Sequence, residues 1–289
     1  MDERVIGVSI PKWNDKVVNE DAFFAADQRI AVSDGAGGCG VFANEWSQYL
    51  VDQLPTVLPI TKFGELDRWV DGLWEAFYNA HEQQAKEGDG MLLNKFYTEG
   101  SCATVAVAWR TGTNRWTWMA YGDSVVFHYS RKTKILSHSF TRLADFSHPP
   151  RLVSCKDPLE PEGFRSGTFE TDDTSIVFAA SDALSHYLLM RYELSHCDSY
   201  QQELEEELTA STLNAQLLRM AQEESLDFEQ GVLQPLLRSA TSEHDFSHYL
   251  LSLYQKGVLD VDDCTLVAEG HLDAPHEESQ RRPRTNVTA

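Results

Sequence analysis

Five acidic positions stand beside turns at the ends of strand-like runs: Glu20-Asp21, Asp34, Asp123, Asp182 and Asp262-Asp263. Strand ends are where a rigid scaffold presents side chains to a common cleft. Carboxylates from several strands suit hard divalent ions such as Mg²⁺ and Mn²⁺, which take oxygen ligands and keep several waters. Asp34 is followed by Gly35, Gly37 and Gly38, and without side chains the backbone there can approach closely enough for a carbonyl to join a ligand set. Each aspartate taken alone is more often a turn residue or a helix cap. Their joint order and setting point to a metal centre.

Composition narrows the alternatives. The five cysteines, Cys39, Cys102, Cys155, Cys197 and Cys264, are odd in number and widely spaced, so they offer neither a disulfide framework nor a Cys-x-x-Cys zinc pair and are expected to be buried or inert. The ten histidines do not form the metalloprotease motif H-E-x-x-H. A formal charge of −21 opposes nucleic acid and anionic lipid, whose binding needs clustered Lys and Arg. Most of that charge is expected to be solvated surface. No run of about 18 apolar residues is present, and residues 1–10 lack the basic-then-apolar order of a signal peptide, so a soluble, cytoplasmic monomer is expected.

The elements that must hold the acidic positions are legible in part. Residues 4–10 read as a first strand, and 22–26 and 29–33 as a hairpin around Asp27-Gln28. A helix through Trp46, Leu50 and Leu54 is expected to stop at Pro55. Leu66, Trp69, Val70, Leu73, Trp74 and Phe77 fall on the apolar face of a second helix. Strands follow at 102–109, 115–121, 125–129, 134–138 and 175–180, with short connections that imply antiparallel neighbours. A helix is expected from Leu184 to about Tyr192, then helical structure over about 199–254, with the acidic run 203–207 as a solvated face. A strand at 265–268 closes one domain over residues 1–271, with an enlarged helical region at about 184–256, and 272–289 reads as a disordered tail. The pattern implies an α+β layered fold.

The motifs resemble those of the PPM, or type 2C, protein phosphatases, especially the bacterial members. The resemblance runs through Lys16-Val17-Val18-Asn19-Glu20-Asp21, Asp34-Gly35-Ala36-Gly37-Gly38, Gly100-Ser101-Cys102-Ala103-Thr104, Gly122-Asp123-Ser124, Ser181-Asp182-Ala183-Leu184 and Asp262-Asp263-Cys264-Thr265, in family order over nearly the whole chain. It implies a four-layer sandwich of two antiparallel sheets flanked by helices, with two Mn²⁺ or Mg²⁺ ions at one end. Carried over by position, Asp34 bridges the ions and the Gly35 carbonyl joins one of them. Asp182 and Asp262 complete one shell, while Glu20 and Asp21 serve the other, partly through water. Asp145 corresponds to a ligand of a weaker third ion, and Lys16 to the residue that binds substrate phosphate. The implied reaction is hydrolysis of phosphoserine or phosphothreonine in a phosphoprotein, by hydroxide held between two ions about 4 Å apart.

The chain also departs from the family. Lys16 stands where Arg is usual, Ala36 where His is frequent, Ala183 for a Gly and Val125 for a common Arg. The segment between Asp145 and Asp182 is short, trimming the flap over the cleft. The segment between Asp182 and Asp262 is long, and its extra helical element offers either added core or a dock for a regulator. Two rival readings follow: a catalytically silent phosphatase-like module that binds phosphoproteins or scaffolds a complex, and an oxidoreductase built on Gly35-Ala36-Gly37-Gly38-Cys39-Gly40, which fits the dinucleotide pattern G-x-G-x-x-G. The second needs a parallel βαβ unit, whereas these strands read as a hairpin and a meander.

Overall fold

The computed structural model describes residues 4–12, 18–54, 58–224 and 227–270. In chain order the strands are β1 (Arg4–Ile10), β2 (Ala22–Ala26) and β3 (Arg29–Ser33), followed by the helices α1 (Ala43–Asp52), α2 (Phe63–Asp71), α3 (Trp74–Glu87) and α4 (Gly90–Glu99). Then come β4 (Cys102–Ala103), β5 (Val105–Gly112), β6 (Arg115–Tyr121), β7 (Val125–Ser130), β8 (Ile135–His138), β9 (Val153–Ser154), β10 (Phe164–Glu170) and β11 (Ser175–Ala180). The helices α5 (Asp182–Ser195), α6 (Gln201–Ala210), α7 (Thr212–Gln222), α8 (Gln234–Ser239) and α9 (Glu243–Lys256) precede the last strand, β12 (Cys264–Gly270). No described helix is long and apolar enough to cross a membrane.

Two antiparallel sheets carry the fold, in the orders β1-β12-β11-β7-β8 and β10-β6-β5-β3-β2, and β4 pairs with β9 in a small third ladder. The side-chain period of a strand explains the layering. On β11, Ile176, Phe178 and Ala180 face a core shared with α5 to α9, while Val177 and Ala179 face the opposite sheet. On β5, Val105, Val107 and Trp109 face the core under α1 to α4, and Ala106 and Ala108 turn inward to the other sheet. On these two strands the residues between the sheets are the smaller ones, and Ile30, Trp116 and Phe169 from neighbouring strands fill the rest of that layer. Helices, sheet, sheet and helices thus form four layers, the expected α+β sandwich.

Several local expectations change. The helix read through Leu66 and Phe77 is two helices, because the chain turns at Gly72-Leu73, where the Gly72 N–H bonds back to Arg68 and Trp69 carbonyls and Leu73 N–H to Val70. Glycine has low helix propensity, so the break falls there. The strand expected over 102–109 is divided at Thr104, its first part pairing with β9 and its second with β3 and β6. The helix α4 and strands β9 and β10 were not legible in the sequence. The acidic run 203–207 is not uniformly solvated: Glu207 is fully buried, 2.6 Å from His186 Nε2 on α5. The helices α5 to α9 contribute core, with Leu184, Leu188, Leu218, Leu236 and Phe246 all enclosed. Pro55 and the tail 272–289 lie outside the described residues.

The core under α1 turns on Trp46. It is fully buried, packs against the Phe77 ring at 4.7 Å and donates its indole N–H to Val153 O at 2.8 Å. Trp46→Ala removes both packing and a buried donor, and should cost about 3–5 kcal/mol of unfolding free energy, read as a lower urea midpoint at unchanged slope.

Candidate metal centre

Strand register alone brings the acidic positions together. Ala22 pairs with Ser33, so Asp21, just before β2, lies across from Asp34, just after β3. Val125 pairs with Ala180, which sets Asp123 in the β6–β7 turn beside Asp182 at the start of α5. Ile10 pairs with Cys264, so the chain leaving β1 runs beside Asp262 and Asp263. All these positions share one end of the sandwich.

Asp34 is tied to the opposite strand. Its carbonyl accepts Thr104 N–H at 2.8 Å, its own N–H reaches Thr104 Oγ1 at 3.2 Å, and that hydroxyl pairs with Ser124 Oγ at 2.6 Å. The same side chains thereby link the two sheets directly under the cluster. Gly35 donates to Glu20 O at 3.1 Å, and a Cβ there would stand 2.6 Å from that oxygen; no other residue fits so close a passage. The Gly35 carbonyl accepts Gly37 N–H at 3.2 Å. Gly122 has φ +99°, and a Cβ on it would meet Thr104 Cγ2 at 2.6 Å, so this turn, which aims Asp123, also demands glycine.

Asp263 clamps the entry. It is buried, and its two oxygens accept Lys12 N–H at 2.6 Å and Glu20 N–H at 2.7 Å. Lys12 Nζ lies 3.4 Å from Asp262 Oδ1 and 3.7 Å from Glu20 Oε2. Nothing in the local sequence had marked Lys12.

Asp21 is buried, and neither of its carboxylate oxygens has a hydrogen-bond partner. The hydroxyls of Ser181 and Thr265 are close by, but they are engaged with Asp263 O, Thr265 N–H and Ser9. Burial pushes the Asp21 carboxyl up to about 7, the neighbouring Thr265 and Ser181 hydroxyls holding it down in part and Asp263 and Asp262 adding repulsion. Asp34 and Asp182, partly open to solvent yet surrounded by protein, are held well above the usual carboxylate range, first by burial and then by neighbouring aspartates: Asp21 for Asp34, Asp123 for Asp182. Burial likewise pushes Asp123 up to about 6. An orphaned buried carboxylate among like charges is costly unless a cation joins it. Among the described residues no three Asp, Glu, His or Cys side chains are already drawn together tightly enough to hold an ion alone. The donor set is nonetheless oxygen-rich and open, as ions that retain waters require.

Asp145 sits apart from this group. Its oxygens are taken by Thr141 Oγ1 at 2.6 Å and Arg142 at 2.8 Å, and it faces Asp123 and Arg165 across a cavity of about 130 Å³. Asp123 is the better placed neighbour of Asp182. Lys16 lies outside the described residues. The glycine-rich run after β3 follows an antiparallel hairpin, so the parallel unit that dinucleotide binding needs is missing there.

Among solved structures, the catalytic domain of the serine/threonine protein phosphatase PstP in complex with two manganese ions is similar over 94% of this chain and 99% of that one, at 17% identity and a TM-score of 0.50. The fold is that of the type 2C serine/threonine phosphatases. The Mycobacterium tuberculosis phosphatase PstP/Ppp shows 18% identity, 93% and 98% coverage and a TM-score of 0.49. PppA, a key regulatory component of T6SS in Pseudomonas aeruginosa, shows 17%, 93% and 97%, and 0.49. No family model matches the chain, and no curated protein does.

The raised carboxyls have a consequence for stability. A group with a higher pKa in the folded than in the unfolded chain contributes stability that is present at low pH and lost as pH rises through the folded value. Without divalent ions, the melting temperature should therefore fall by several degrees as pH rises from about 4, the ordinary carboxyl value, to about 7, the range set by the raised Asp123 and Asp21. Mn²⁺ should raise it most at the upper end. Thermal melts with and without chelator across this range check both, and a flat profile would contradict the arrangement.

Proposed function

We propose that the chain is a metal-dependent protein phosphatase acting on phosphoserine or phosphothreonine. The observation that carries this reading is the buried, unpartnered Asp21 carboxylate facing Asp34 at the end of a type 2C sandwich. Asp34, Asp182 and Asp262 would hold one Mn²⁺ or Mg²⁺ ion, and Asp34, the Gly35 carbonyl, Glu20 and Asp21 the other, some through water. Bound there, the two ions would supply a hydroxide at neutral pH and charge to offset that of the phosphoryl oxygens.

The chain's own residues do the positioning. The Thr104–Ser124 pair holds Asp34 against the facing sheet, and the Asp263 clamp fixes the backbone at Glu20. Asp182 opens α5, whose first turn offers its backbone N–H groups to a carboxylate, and its Oδ1 accepts Ala183 N–H at 2.5 Å. A weaker third ion would draw on Asp182 and Asp123, or on Asp145 once Arg142 lets go. Lys16 would contact the substrate phosphate, and its compact ammonium holds an anion with less geometric selectivity than the guanidinium usual there. The substrate is a phosphoprotein, and the location is cytoplasmic.

Hydrolysis of an aryl phosphate and of phosphothreonine and phosphoserine peptides should require Mn²⁺ or Mg²⁺ and disappear with chelator. Phosphotyrosine peptides should be poorer substrates. Asp34→Asn removes charge shared by both ions and should lower kcat on the order of 100-fold or more, with Asp182→Asn and Asp262→Asn acting through one ion. Equal turnover in excess chelator, or a fully active Asp34→Asn, would sink the mechanism. Phosphopeptide binding without hydrolysis would identify a silent module instead.

A further inference from the structure

The carboxylate cluster contains a cation of the chain's own. Lys12 lies just past β1, and its Nζ stands 3.4 Å from Asp262 and 3.7 Å from Glu20. Under the reading above these two carboxylates serve different ions, so the ammonium stands over the seam between the two ion positions. Its backbone is pinned by Asp263 at 2.6 Å, while its side chain stays about one-third exposed at the mouth of the cleft. Nearby guanidinium groups are committed elsewhere: Arg142 to Asp145 and Glu206, Arg165 to the Gly122 carbonyl.

Charge balance says what such an ammonium is for. The carboxylates of Glu20, Asp21, Asp34, Asp182 and Asp262 more than neutralise two divalent ions, so a phosphoryl dianion would approach a site that is still negative. Asp123 and Asp263 add to that deficit, and a positive charge at the mouth reduces it. A lysine suits the task, because its point charge sits on a flexible stem with three rotatable donors. We propose that Lys12 binds the phosphoryl group of the substrate, its ammonium passing from Glu20 and Asp262 to the phosphate when divalent ions occupy those carboxylates. The proposal rests on the phosphatase reading and adds a phosphate-binding residue that the motif resemblance, which pointed to Lys16, does not supply.

Calorimetric titration of inorganic phosphate into Mn²⁺-loaded protein, alongside titration of Mn²⁺ itself, reads this without turnover. Lys12→Met should weaken phosphate binding about tenfold or more, the scale of one charge-assisted bond. Its Mn²⁺ affinity should hold or tighten, because an internal competitor for Glu20 and Asp262 is gone. Lys12→Arg should keep most of the phosphate affinity. With a phosphothreonine peptide, KM should rise more than kcat falls in Lys12→Met. Phosphate affinity within about twofold of wild type would overturn the proposal. So would parallel loss of Mn²⁺ and phosphate, which marks Lys12 as a strut of the metal centre. Lys12→Gln reads the same quantities if Lys12→Met fails to fold. Absence of hydrolysis by the wild-type protein would count against the phosphatase reading, while the phosphate titration would still judge Lys12.

Discussion

Like charges repel, yet this chain gathers Asp21, Asp34, Asp123 and Asp182 at one end of a sandwich and pushes their carboxyls upward by burying them. No attraction among the carboxylates holds them there. Each is placed by a strand whose register is set elsewhere, by alternating side chains packed into three separate cores. The cost of assembling negative charge is met by apolar burial at roughly 1.5–3 kcal/mol for each large side chain enclosed, and repulsion at the cluster is the stress that a bound cation would relieve.

Polar side chains beneath the cluster convert this general packing into particular positions. Thr104 bridges from Asp34 to Ser124 and so from one sheet to the other. Asp263 gathers the backbone at Lys12 and Glu20, and Ser181 and Thr265 tie the start of α5 to β12. Each of these groups is buried with its hydrogen-bonding capacity engaged, which makes it rigid. Asp21 alone among the cluster is buried with both oxygens unpartnered. The contrast separates the scaffold of the site from the residue that lacks a counterpart.

The cluster's environment also explains why one lysine matters in a chain with a net charge of −21. Most of the acidic residues are solvated, where water and salt screen them. At the mouth of the cleft screening is weaker, and Lys12 is drawn to two carboxylates at once. The same attraction that seats it there makes it available to an incoming anion once those carboxylates are otherwise occupied.

Periodicity and turn chemistry are local, so the hairpin at β2 and β3, the helix around Trp46 and the acidic residues at strand ends were all legible from residue order. The motif resemblance added a ligand set, and the fold it implied is the fold observed. What sequence alone could not decide depends on contacts between distant segments. The break at Gly72 and the division at Thr104 follow from which partners each half meets, and two-residue strands such as β4 and β9 carry no periodic signal. Glu207 looked solvated because its neighbours are acidic, yet α5 covers it with His186. Asp123 was visible as a strand-end acid, but its nearness to Asp182 rests on the β7–β11 register. Lys12 had no mark at all: only the pairing of β1 with β12 carries it to Asp262, some 250 positions away in the chain. Residue order thus determined which groups could do chemistry, and tertiary pairing decided which of them meet, because charge and hydrogen bonding act over a few ångströms of space rather than along the sequence.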